Sequence, residues 1–405
     1  MLIPDRFFPL VILIGFFLNT LFFLTLFFIP KYLRISPQKI KSLPKIIYLI
    51  YLIYAFILPG EIQDVGLFSS VGYILRQNLD FYQIDVSHGT YPFFPFMAFF
   101  YIIANWINEV LPILRFSFIV KITLIPVLYF LSREIPDYRQ RLFFLLSPVV
   151  FAPVIIHGQA DILVVLFLIL AIKQIRQKPI LSGLFYSLSI LTKSWSVFLF
   201  PLFLWHFRFR KILPFIIAFI LPIFLDVFIY TRLFHSSFKV VLNAALGHPG
   251  SGTGESGLSQ FIFLLPKSLN QFIFQNHRIF TSLFFFLFYL IIFLKKVNPL
   301  KGAKVILLVF NVFSLAWGVQ YIIWLLPIAF IDKDYLNAKI YSILSIPYLV
   351  LMYFAITHEK FLLTNILKPT DPIVLFSLLL PWSFSVFWLW REMSRSSLIQ
   401  KLRMI

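Results

Sequence analysis

Glu61 and Asp64, in Gly60-Glu61-Ile62-Gln63-Asp64, are two carboxylates three residues apart at the end of an apolar run. On a helix that spacing puts both on one face. There a carboxylate can accept a proton from a sugar hydroxyl or hold a cation that neutralises a phosphate. The same acids also suit the positive end of a helix, a purely structural role. In Tyr91-Pro92-Phe93-Phe94-Pro95, prolines pre-set the start of the next apolar run and Tyr91 suits a membrane–water boundary. His157-Gly158-Gln159-Ala160-Asp161 offers an imidazole, an amide and a carboxylate between two apolar runs. These groups can meet phosphate or hydroxyls, His157 and Asp161 can ligate a metal, and a turn with polar caps accounts for them equally well. Lys193 is an isolated cation in an apolar stretch. It either snorkels to an interface or pairs with an anion, of which phosphate is a natural one. Gln320 and Trp324, either side of Tyr321, lie one helical turn apart, so an amide and an indole share a face.

The elements that must hold these residues are membrane helices. Of 405 residues, 60% are hydrophobic and 13% charged, and the mean hydropathy is +0.91. A soluble domain carries about a quarter charged residues, so a water-facing surface cannot be built from so few. Apolar runs near residues 8–29, 212–230, 280–294 and 373–390 approach or reach the ~20 residues that cross a hydrocarbon core. They are apolar all round rather than alternating, which excludes a membrane β-barrel. The expectation is an all-α polytopic bundle of about eleven to fourteen spans, a single membrane domain over 1–405. The run 8–29 is followed by a basic loop rather than a small-residue cleavage site, so it reads as the first span. Cysteine is absent, which excludes disulfides and thiolate metal sites.

Charge then orients the bundle. The net charge is +19, with Lys and Arg gathered near 31–45, 173–178, 208–211, 295–304, 332–339 and the tail from 391. Basic loops facing the cytoplasm, in contact with membrane lipids, account for this charge. Nucleic acid is excluded as a partner, because the charges are scattered between spans instead of sharing one face. Residues 60–90 and 231–277 are polar without being basic and become the first and second external loops; a third spans 357–372. Within the first, Val65, Phe68, Val71, Ile74 and Leu75 recur at helical spacing, predicting an amphipathic helix in the interface. Segments 91–107, 112–131 and 142–156 conflict with this scheme. If all three cross, the basic loop 173–178 falls outside; if that loop is inside, one of the three does not cross. No internal repeat is evident, where a transporter built of inverted halves would carry one.

Taken in order along the chain, these elements resemble the GT-C superfamily of integral membrane glycosyltransferases, which use polyprenyl-phosphate sugars, and look closest to its mannosyltransferase-like branch. The resemblance covers residues 46–330. It rests on a carboxylate in the first external loop (Asp64, with Glu61), the re-entry Tyr91-Pro92, Gly158-Gln159-Ala160-Asp161, Leu191-Thr192-Lys193, and Gln320-Tyr321-Ile322-Ile323-Trp324 ahead of Leu326-Pro327. Phe93 stands where the family has a second proline, and Ser194 where proline often follows the lysine.

The resemblance implies inverting transfer of a sugar, mannose or a related hexose or pentose, from a polyprenyl-phosphate donor. The acceptor would be an envelope glycan, lipid or protein at the outer face of a bacterial or archaeal plasma membrane. It implies Asp64 as general base, with Glu61 next in line, and Lys193 as first counter-ion for the leaving phosphate, ahead of Arg76 and His248. Loss of the Lys193 charge is then expected to weaken donor binding more than folding. Tyr91, His157, Gln159, Asp161, Gln320, Tyr321 and Trp324 would line the substrate. The glycine-rich segment 247–257, with Glu255, would be a flexible external loop over the site. A divalent cation is left open, with His157, Asp161, Glu61 and Asp64 as hard ligands. A transporter or flippase for a lipid-linked or anionic substrate, and a non-catalytic scaffold, are the competing readings.

Overall fold

The computed structural model describes residues 8–29, 37–58, 60, 62–84, 91–207, 209–247, 257–315, 318–356 and 372–394. Glu61, His248 and Glu255 therefore lie outside the described residues, as does most of the third external loop. Every described element is helical, with no strand among the described residues. The chain gathers into two compact units, one of Met1–Phe200 and His206–His248, the other of Pro201–Trp205 and Pro249–Ile405.

Four helices among the described residues are long and apolar enough to cross a membrane: Leu10–Phe28, Phe116–Glu134, Phe209–Leu233 and His277–Leu294. Two bent pairs, Tyr138–Leu146 with Pro148–His157 and Tyr335–Leu344 with Ile346–Tyr353, raise the number to six if each is one span. The apolar faces that Phe209–Leu233 and His277–Leu294 leave uncovered, among them Ile217, Leu221, Phe224, Leu283 and Phe286, suit lipid and would be a liability in water. Four to six is fewer than eleven to fourteen. Several apolar runs are cut into helices of 10–17 residues, and fifteen residues of helix reach only about 22 Å.

In the first unit the helices are α1 (Phe8–Phe28), α2 (Pro37–Ile57), α3 (Ile62–Arg76), α4 (Phe96–Val110), α5 (Phe116–Glu134), α6 (Tyr138–Leu146) and α7 (Pro148–Phe151). A π-helical turn, Ala152–His157, continues α7; then follow α8 (Asp161–Gln174), α9 (Pro179–Thr192), a 3-10 turn Ser194–Leu199, α10 (Phe200–His206), α11 (Phe209–Leu233) and α12 (Phe238–Gly247). The 55° bend between α6 and α7 has a clear cause. Pro148 opens α7 and has no N–H to continue the ladder, while Ser147 caps the new start by accepting from Val149 N at 3.2 Å. Two carbonyls freed by the break are met by other helices: Asn19 Nδ2 donates to Leu146 O at 2.7 Å, and Tyr51 O–H donates to Leu145 O. Inside a membrane such internal satisfaction is obligatory, because no water is there to supply it.

The predicted helix of the first external loop is α3, and Val65, Phe68, Val71, Ile74 and Leu75 are all buried. Their face packs on protein, not on the lipid boundary. Phe68 stacks on Tyr101 of α4 at 4.7 Å, and Asn105 Nδ2 donates to Ser69 O at 2.9 Å. Gly72 lets the backbones touch: a Cβ there would lie 2.5 Å from Tyr101 O. Gly72→Ala is therefore expected to destabilise the protein by about 1–3 kcal/mol through forced separation of α3 and α4. A melting temperature in detergent equal to that of the wild type would refute this packing.

Connectivity and ion pairs give the first unit two chemically different ends. Lys173 pairs with Glu134, and Lys211 donates to Arg176 O at 2.7 Å, so the loops after α5, after α8 and before α11 meet at one end. Arg133, Arg139, Arg141 and Lys178 lie in or beside these loops. The opposite end collects the start of α3, the π-turn, the start of α8 and the end of α9. The loop 157–161 thus sits with the start of the first polar loop, and 173–178 sits away from it. Alternation of ends along the chain leaves α4, laid along α3, with both of its ends toward the Asp64 end, where Asp226 near the end of α11 accepts from Phe96 N. The second polar loop is largely helical: α11 runs to Leu233, and α12 follows.

The second unit comprises α13 (Gly257–Ile262), α14 (Lys267–Gln275), α15 (His277–Leu294), α16 (Pro299–Phe313), a 3-10 turn Val319–Ile323, α17 (Leu325–Ile331), α18 (Tyr335–Leu344), α19 (Ile346–Ile356) and α20 (Pro372–Ser394). One end is tied by buried Lys304, which pairs with Asp332 at 2.6 Å, Asp334 at 3.1 Å and Glu392 at 3.3 Å.

Candidate functional site

Two left-handed turns place the site. The α2–α3 turn passes through Gly60, at φ +91°, and the turn between the π-helix and α8 passes through Gly158, at φ +86°. Both values fall where only glycine is unstrained. Gly158 and Gln159 each donate their backbone N–H to Pro153 O, at 3.1 and 3.0 Å, which closes the π-turn and swings the chain into α8. A π-turn at a functional site is a recurrent arrangement.

Five of the residues singled out in the sequence meet here. His157 Nε2 lies 2.9 Å from Asp64 Oδ2, and Gln159 Nε2 donates to the same oxygen. An ionised carboxylate only accepts, so the His157 tautomer with hydrogen on Nε2 donates to it, while Gln159 Nε2 lies 3.0 Å from the same ring nitrogen. Gln159 Oε1 accepts from Lys193 Nζ at 2.7 Å, and Lys193 Nζ also donates to Asp161 Oδ2 at 2.6 Å. The ammonium stands 5.1 Å from the centre of the Phe93 ring, within cation–π range. A continuous path thus runs Asp64–Gln159–Lys193–Asp161, with His157 alongside. Asp161 opens α8 and Lys193 ends α9, so each charge complements its helix dipole. Ser189 Oγ, donating to Val164 O at 3.0 Å, fastens α9 to α8 just below.

Exposure assigns the roles. The side chains of His157, Lys193 and Asp161 are 4%, 4% and 1% exposed, whereas Asp64 is 34% exposed. Asp64 is the member that reaches the surface, and the others stand behind it. Burial alone would push the Asp64 carboxyl up, but the His157 hydrogen bond and charge, the Lys193 charge and the Gln159 amide hold it below its ordinary 3.8. A carboxyl lowered by folding contributes stability above its unfolded value, and that stability is lost as pH falls through the lower folded value. Removing His157 shrinks that contribution, so the melting temperature recorded across roughly pH 2–6 should drop less on acidification in His157→Ala than in the wild type, the gap between the two proteins closing as pH falls. Superimposable acid limbs would show that His157 does not hold Asp64 ionised.

The remaining expectations concern the counter-ion and the lining residues. Lys193, expected as a counter-ion for phosphate, is already neutralised by Asp161. Arg76 sits twelve residues beyond Asp64, about 18 Å along α3, and pairs with Glu109 and, at 3.4 Å, with Asn105. Tyr91 lies in an aromatic cluster with Phe81, Phe93 and, at 6.2 Å, Tyr82. Gln320, Tyr321 and Trp324 belong to the second unit. There Gln320 and Trp324 are buried, Trp324 packs on Tyr321 at 4.2 Å and on Phe310 at 5.0 Å, and the turn is 3-10 rather than α-helical. Gly257, at the edge of the expected mobile loop, is packed so closely that a Cβ would meet the Trp382 ring at 2.1 Å. Among the described residues no group of three or more His, Asp or Glu is arranged to hold a metal ion.

Two charges escaped the sequence reading, Lys121 in α5 and Asp226 in α11. Asp226 Oδ2 accepts from Phe96 N at 3.2 Å and so caps α4 from a distance. Both are lone charges in apolar runs, the same signal that marks Lys193.

The fold and site define an all-helical chain with several helices able to cross a membrane and a half-buried carboxylate backed by a buried polar network. No family model, curated protein or solved structure matches it.

Proposed function

We propose that this chain is a membrane-embedded inverting glycosyltransferase that takes its sugar from a polyprenyl-phosphate donor, with Asp64 as general base. The observation that carries the proposal is the exposure gradient: one ionised carboxylate at the surface of the site, backed by a buried imidazole and a buried amide. Asp64 accepts the proton of the acceptor hydroxyl as that oxygen attacks the anomeric carbon, and the polyprenyl phosphate departs with the bonding pair. The leaving group is already a stable anion, so no strong general acid is needed. A carboxyl held below 3.8 is a weak base, which fits a reaction whose proton leaves late, after bond-breaking has made the hydroxyl acidic. His157 and Gln159 fix the direction of the carboxylate, the preorganisation that oriented catalysis requires. Among the described residues, the end of the first unit that bears Asp64 is free of the Lys/Arg-rich loops, which supports an outward-facing site.

Membranes containing the chain are expected to transfer radiolabelled sugar from at least one member of a panel of polyprenyl-phosphate sugars. No transfer with any donor, together with no binding of polyprenyl phosphate by the purified protein, would remove this reading. One observation favours a second. A buried run of ionisable groups is also what an ion-coupled transporter needs. Proton-driven uptake into liposomes that is lost in Asp161→Asn, in the absence of any sugar transfer, would select that alternative.

A further inference from the structure

We propose that Lys121 is a positioning residue for the Asp64 site: its ammonium fastens the turn that leads to Asp64, and its stem seats the turn that carries His157. The proposal takes Asp64 as the working carboxylate, as proposed above, and adds the part of the molecule that aims it.

Lys121 is fully buried in α5, one helical turn beyond buried Ser117, so the two share a face. Its Nζ donates to Leu58 O at 3.0 Å, the one hydrogen bond of this ammonium among the described residues. Leu58 is the residue after the end of α2, where a cation meets both an orphan carbonyl and the negative end of the helix dipole. Two residues on, Gly60 rests on the same face: a Cβ there would lie 3.2 Å from Ser117 Cβ and 3.4 Å from His157 O. A Cβ on Gly158 would lie 3.4 Å from both Cγ and Cε of Lys121. Both turns also meet one methyl of Val65, at 3.2 and 3.6 Å from those two added carbons, and Val65 is the neighbour of Asp64.

The face formed by Ser117 and Lys121 is thus a shelf on which both left-handed turns sit. The 2.9 Å contact between His157 and Asp64 is made across the gap between those turns. Nothing in the mechanism uses the Lys121 charge directly, yet a buried ammonium in a helix able to span a membrane is costly and calls for a function. Holding Leu58 O supplies one. Without that bond the Gly60 turn loses its anchor, and the carboxylate loses its fixed distance to the imidazole.

The test uses the full chain in detergent or nanodiscs, labelled with 15N-histidine. The His157 signal is identified among seven histidines as the one lost in His157→Gln, and its response to loss of the carboxylate is taken from Asp64→Asn. Lys121→Met is expected to move the His157 Nε2 signal in the same direction as Asp64→Asn does. It should also lower kcat by about tenfold to a hundredfold, with KM for the donor little changed. Lys121→Gln, which keeps an N–H donor, should restore most of both. If Lys121→Met yields no folded protein, Ser117→Val tests the same shelf at its other residue, its added methyl crowding the Gly60 turn whose Cβ position lies 3.2 Å from Ser117 Cβ, and the same signal should move. A His157 signal unchanged in either folded variant overturns the proposal. A signal that moves as expected in a protein with no transferase activity leaves the shelf standing and removes the glycosyltransferase reading instead.

Discussion

Asp64→Asn is expected to lower sugar transfer by about 10²–10⁴-fold, the range a positioned general base supplies, while the protein still inserts and folds. The substitution is isosteric and keeps an oxygen that can accept from His157 and Gln159, so the local hydrogen bonds have a replacement partner. What it removes is the capacity to take a proton. Because the Asp64 side chain is a third exposed, the stability lost with its charge is small after solvent screening. Donor KM should change little, since an interaction made only in the transition state appears in kcat and kcat/KM equally. His157→Gln should cost less than Asp64→Asn, because it misaims the carboxylate without deleting it. The measurement is initial transfer rate against donor concentration for the three proteins at equal folded amounts. An Asp64→Asn rate within about threefold of the wild type would exclude Asp64 as the base, since no general-base contribution is that small.

The residues that meet at the site were legible because a polar group in an apolar run must have a reason to be there. Asp64, His157, Gln159, Asp161 and Lys193 all stand out by that criterion, across 130 positions of sequence. The same criterion fits Lys121 and Asp226, but no motif surrounds them, and a lone charge in a hydrophobic run reads as the middle of a span. Their partners are backbone groups, Leu58 O and Phe96 N, and a backbone group leaves no mark in sequence. The face of α3 was legible as a helix through Val65, Phe68, Val71, Ile74 and Leu75, but its partner was not. An apolar stripe has the same composition whether lipid or a protein helix covers it, and the deciding residue is Gly72, which periodicity ignores. The span count read from hydropathy exceeds the four to six helices able to cross among the described residues for a related reason. Hydropathy averages over a window and cannot see Pro148 and Ser147 dividing one apolar run into α6 and α7, nor that α4 is only 15 residues long.

Lys193 and Asp161 carry the other large expected effect, and burial reverses its direction from the sequence expectation. If Lys193 stood free to meet a phosphate, Lys193→Met would raise the donor KM and spare the fold. Instead the pair lies at 2.6 Å with both side chains under 5% exposed. Removing the lysine alone takes the ammonium from buried Asp161, and takes from Gln159 Oε1 its donor at 2.7 Å. Breaking a buried pair from one side typically costs about 3–5 kcal/mol. Lys193→Met should therefore lower the melting temperature in detergent sharply, and Asp161→Asn should do so by strandng the ammonium. The double replacement Lys193→Met with Asp161→Leu removes both charges together and should regain most of the loss, because two apolar side chains carry no desolvation cost. Its activity should stay low, since Gln159 would no longer be held toward Asp64. A stable Lys193→Met with raised KM would instead mean that the pair opens in the membrane and that the ammonium turns to the donor phosphate. A double variant no more stable than the singles would mean that the contacts of the two stems, and not their charges, hold α8 against α9.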